Sequence, residues 1–153
     1  MRLLAFCLGC VLLALPARAA DRASLDAVSV HLFLEKSGTL STDVTAIEGF
    51  FARNFSPDGK GIPEDEHFRD VLVRVRFTAP KEIFAEGTQA EVVVTDDAKK
   101  VVLRKRIAGL YIGAHGWTFA PVYLENVACK PLTVTVTGGG KRIVKALPFS
   151  CGE

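Results

Sequence analysis

Three histidines, His31, His67 and His115, and a run of carboxylates at Asp58, Glu64, Asp65 and Glu66 are the side chains here with metal or acid–base chemistry within reach. A zinc centre needs three or four nitrogen, sulfur or carboxylate ligands converging on one point. None of the spacings HxH, HxxxH or HExxH occurs, so such a centre has to assemble wholly from long-range contacts. A metal-dependent hydrolase built from these residues is therefore a minor reading, and hydrogen-bonded or solvent-facing histidines are the plainer one. Carboxylates on a loop suit calcium. The stretch DGKGIPEDE over 58–66, however, puts Lys60 where an EF-hand places an oxygen ligand, and reads as a solvated acidic loop.

Other chemistries fare no better. Met1 is the single methionine and no histidine closely follows Cys129, which removes methionine-rich Cu(I) sites and argues against a blue-copper loop. No serine has a GxSxG setting. The run Gly138-Gly139-Gly140 lacks the following helix that would make it a phosphate cradle. No cofactor is implied, and the expected function is non-catalytic binding.

Two surfaces are candidates for that binding. Arg74 and Arg76 share one face of a strand, as do Arg104 and Arg106, with Lys99, Lys100 and Lys105 close by. Were the two strands neighbours, five or more cations would form a basic face for an acidic partner or an anionic envelope polymer. The competing reading is a wet sheet face balanced by Glu91, Asp96 and Asp97 and kept soluble by charge. The second candidate is the Gly/Pro-rich loop over 52–67, with Phe55, Asp58, Ile62, Glu64, Asp65 and Glu66 as its recognition residues. Phe55 and Ile62 are either tucked against the domain or presented to a partner.

The compartment follows from residues 1–20. Arg2, an apolar run from Leu3 to Leu15 and the small-x-small site Ala17-Arg18-Ala19 predict a cleaved signal peptide. The run is too short to span a bilayer comfortably, and no later segment approaches that length, so no integral membrane segment is expected after cleavage. The formal charge of +2 includes Arg2 and Arg18, so the remainder is charge-balanced and gives no field for nucleic acid. Cys7 and Cys10 leave with the leader, whereas Cys129 and Cys151 stay as an even pair in an oxidising periplasmic or extracellular space. Each lies eleven residues from Gly140, the centre of an expected hairpin, which would set them opposite one another as a disulfide.

These residues need elements to hold them, and nearly all of the chain after the leader reads as strand. Val28, Val30, Leu32 and Leu34 alternate with polar positions, as do Val71, Val73, Val75 and Phe77. Residues 90–107 form a hairpin about the turn 96–100, and 117–125 form a further strand, with Pro121 marking an edge or bulge. Residues 44–51 read as a short helix or an irregular strand, with Ser41, Thr42 or Asp43 as cap. About seven strands with turns every 8–12 residues predict a single antiparallel β-sandwich domain over 21–153. Immunoglobulin-like Greek-key connectivity leads; transthyretin-like and C2-like sandwiches are the alternatives. The expected role is an exported module that binds another envelope or secreted protein. An inhibitor or immunity-type protein that blocks a secreted hydrolase or toxin is the first alternative.

Overall fold

A computed structural model describes residues 22–53, 56–58, 62–127 and 130–150. The leader, Phe55, Cys129, Cys151 and the side chain of Asp58 lie outside the described residues. The architecture is all-β. Its strands are β1 (Ser24–Leu34), β2 (Thr39–Leu40), β3 (Phe51–Arg53), β4 (Ser56–Asp58), β5 (Phe68–Thr78), β6 (Ile83–Asp96), β7 (Val101–Ile112), β8 (Trp117–Leu124), β9 (Leu132–Gly138), β10 (Lys141–Leu147) and β11 (Phe149–Ser150).

Two four-stranded antiparallel sheets, β2-β1-β5-β8 and β10-β9-β6-β7, face each other across one core. Period-two alternation creates that core, because successive side chains of a strand point to opposite faces. Val30, Leu32, Val73, Val75, Phe77 and Val122 enter it from the first sheet, and Val92, Val94, Val134 and Val136 from the second, each fully buried. A small third sheet, β11-β3-β4, joins β11 parallel to β3 and brings Phe149 against Phe68 at 5.2 Å between ring centroids.

The free edge of β1 is closed by side chains. Asp43 Oδ1 accepts from Val30 N at 3.0 Å and from Thr45 N at 3.1 Å, so one carboxylate oxygen serves the strand and caps the 3-10 turn at Val44–Ala46. Ser41 Oγ accepts from Leu32 N at 2.9 Å. The stretch expected as short helix or irregular strand is this turn followed by β3. Pro121 sits, as its lack of an N–H requires, in the edge strand β8.

The last hairpin corrects one expectation. Gly138 pairs with Lys141 and Leu132 with Leu147, so the turn is the two-residue Gly139-Gly140, both at positive φ. The centre falls between Gly139 and Gly140, one half-step from the Gly140 axis that the cysteine spacing suggested. After Pro148 the chain leaves β9 and pairs with β3. The described β9–β10 ladder ends at Leu132 and Leu147. Both cysteines themselves lie outside the described residues.

Candidate functional site

On β8, Ala120, Val122 and Leu124 point inward, which sends Trp117, Phe119, Pro121 and Tyr123 outward. An antiparallel sheet with one wet face should carry polar residues there. Instead, aromatic rings alternate along an exposed strand, and the paired positions on β5 are arginines: Arg76 opposite Phe119 and Arg74 opposite Pro121. The Arg74 guanidinium lies 4.0 Å from the Phe119 ring centroid and that of Arg76 lies 5.6 Å from the Trp117 ring. Trp117 meets Phe119 edge-on at 5.4 Å, and His115 meets Trp117 edge-on at 4.8 Å.

The band continues around the corner between the sheets. A Cβ on Gly113 would lie 3.2 Å from the His115 ring and 3.7 Å from Tyr111, so both rings border the same bare Cα. Tyr111 is the register partner of Phe84, and its hydroxyl donates to Glu82 at 2.7 Å. That hydrogen bond, together with partial burial and the charge of Glu82, holds the Tyr111 phenol above its ordinary pKa. Phe84, Tyr111 and Tyr123 are each more than half exposed, and Trp117 is 40% exposed. Stacking among exposed aromatic and cationic groups returns only about 0.5–1.5 kcal/mol per pair. A contiguous apolar band left in water on a monomer marks a place of contact.

The four arginines that a single basic face would need are divided. Arg74 and Arg76 lie in the first sheet, whereas Arg104 and Arg106 lie on β7, at the edge of the second. Each pair does lie on one face of its own strand. Two are neutralised: Arg76 Nε stands 3.3 Å from Asp26, and Arg104 donates to Glu91 at 2.8 Å. The basic face depended on the two strands being neighbours, and strand adjacency, which converts alternating arginines into a stripe, is set by topology; the Arg104–Glu91 bond accords with the competing reading of a charge-balanced wet face.

The acidic loop is in part structural. Ile62 is buried in the core, and Glu66, at 3% exposure, accepts from the backbone N–H groups of Lys36 and Ser37 at 3.2 and 3.4 Å. It thus ties the loop to the β1–β2 turn. Lys36 and Asp65 form an ion pair above it, which raises the lysine pKa and lowers that of the carboxyl through hydrogen bonding and charge. Glu64 and Asp65 stay exposed.

The histidines are dispersed. His31 Nδ1 donates to the Ser41 carbonyl oxygen at 2.8 Å, and its Nε2 is hydrogen-bonded to Ser29 Oγ at 2.9 Å. His67 precedes β5, and its carbonyl accepts from Glu35 N at 2.8 Å. Among the described residues, no three His, Cys, Asp or Glu side chains gather as a ligand set.

The aromatic band as a whole escaped the sequence reading, in which His115 entered only as one of three histidines. Its signal was available: Trp117, Phe119 and Tyr123 fall on the parity opposite to Ala120, Val122 and Leu124, so β8 is apolar on both faces. No protein-family model matches the chain, and no curated protein matches it as a relative.

Proposed function

We propose that this chain is an exported, non-catalytic interaction module that docks a protein partner on the outward side chains of β8 and the adjoining corner. The observation that carries this reading is the row of exposed side chains Phe84, Tyr111, His115, Trp117, Phe119, Pro121 and Tyr123, in contact through the rings of 115, 117 and 119 and overlaid by Arg74. Tryptophan, tyrosine and arginine are the residue types that dominate binding energy at protein interfaces. Backing the band with two packed sheets keeps it preorganised, which lowers the entropic cost of association. Export through the leader at 1–20 and a Cys129–Cys151 bridge belong to the same reading. Their support is the cleavage pattern and the even cysteine count.

Immunoglobulin-like connectivity is also part of the proposal. Its support is the order β1-β5-β8 against β10-β9-β6, which on this reading would be strands A-B-E against G-F-C, with β7 as an additional strand beside C.

The test is affinity capture from the envelope and secreted fractions, comparing wild type with Trp117→Ala and Tyr123→Ala. A partner retained by wild type and lost by both variants, with their melting temperatures unchanged, supports the reading. Equal capture by all three proteins overturns it.

A further inference from the structure

The chemistry around Pro121 narrows the kind of partner. Strand addition to β8 is obstructed, because Pro121 has no N–H to donate and its carbonyl oxygen already accepts from Lys105 Nζ at 3.2 Å. Recognition on this strand therefore falls to side chains. Two cations bracket residues 119–121 from opposite flanks: Arg74 from β5, stacked over Phe119, and Lys105 from β7. Neither forms an ion pair among the described residues. Elsewhere the chain supplies acids to its cations, as in Arg69–Glu35, Arg76–Asp26, Arg104–Glu91 and Lys36–Asp65. No residue of β8 itself is acidic. A guanidinium held over a ring still has N–H groups to offer, and their fork fits a carboxylate in bidentate fashion.

We infer that the docking surface takes an acidic, extended segment of another protein, laid across the outward side chains of β8. Its carboxylates meet Arg74 and Lys105, and its apolar groups pack on Trp117, Phe119, Pro121 and Tyr123. The inference rests on the docking reading above and adds the partner's chemistry to it. A uronate polysaccharide offers similar carboxylates, but the mix of tryptophan, tyrosine and arginine favours a protein.

Trp117 is the single tryptophan of the chain, so its fluorescence reports on this surface alone. Poly-L-glutamate titrated into the wild-type protein should give a saturable change in emission that weakens with added salt. The pair Arg74→Glu/Lys105→Glu should weaken binding by about tenfold or more. Arg74→Gln/Lys105→Gln should weaken it in the same direction without introducing acids. Arg142→Glu, at a position paired with Thr137 in the other sheet, should leave it unchanged. Absence of saturable binding overturns the inference, as does an equal loss with Arg142→Glu. Binding of polygalacturonate without binding of poly-L-glutamate overturns the choice of a protein segment. If a captured partner depends on Trp117 but is indifferent to Arg74 and Lys105, the acidic segment falls and the docking reading stands.

Discussion

Lys105 Nζ donates to the carbonyl oxygen of Pro121 at 3.2 Å, linking the edge strand of one sheet to the edge strand of the other. Lys105 occupies an inward-parity position, register partner of the buried Val92, yet at the rim its amine reaches outward past the core. The contact covers one β8 carbonyl at the residue that has no N–H to offer. Together, Pro121 and Lys105 blunt an edge that would otherwise template another strand.

Replacing both, as Pro121→Thr with Lys105→Thr, should expose a continuous edge beside an aromatic face. The expected outcome is concentration-dependent self-association, read by light scattering or sedimentation velocity. Neither single substitution should match the pair.

Glu66→Ala should destabilise the domain even though it lies in a loop. It removes the buried carboxylate that accepts from Lys36 N and Ser37 N, and a hydrogen bond to a charged group contributes about 1.5–3 kcal/mol. Urea unfolding checks this, with the exposed Glu64→Ala as a neutral comparison.

Gly138→Ala should also destabilise, through a clash. A Cβ at this position overlaps the Gln89 carbonyl oxygen and lies 2.9 Å from Ala90 Cβ, where backbone has to shift. The expected loss is about 1–3 kcal/mol, as for other overpacked sites. Gly139→Ala meets nothing within 4 Å and differs in cause, since its φ of +55° is the source of strain. Thermal unfolding of both variants should show a loss, with Gly138→Ala also perturbing the β6–β9 contact seen by NMR.

The Tyr111 phenol should ionise above the usual tyrosine value near 10.0, because the neutral hydroxyl donates to Glu82. Glu82→Gln should bring it down, as measured by ultraviolet titration in a Tyr123→Phe background. The sign for stability follows. A pKa raised in the folded state favours folding below the unfolded value, and that contribution disappears as pH rises through the folded value.

Local rules were sufficient for much of this architecture. The inward faces of β1 and β5 were legible, as was a Pro121 at an edge or bulge; the cap was narrowed to Ser41, Thr42 or Asp43, and the glycine turn before β10 was found but centred half a residue late. Each depends on side-chain alternation, a missing N–H, a short acceptor or a positive φ, which are properties of a few neighbouring residues. What the sequence by itself determined was an all-β chain with strands of known inward parity.

The tertiary structure decided which strands are neighbours, and that changed the functional reading. Alternation places Arg74 and Arg104 outward on their strands, but only topology puts them in separate sheets and gives Arg104 to Glu91. Ile62 and Glu66 look like loop residues until the β1–β2 turn and the core come within reach of them. The aromatic band likewise joins residues 84, 111 and 115–123 across a corner between sheets. Contacts between residues distant in sequence are fixed by the packing of whole sheets around one core, and no local pattern encodes them.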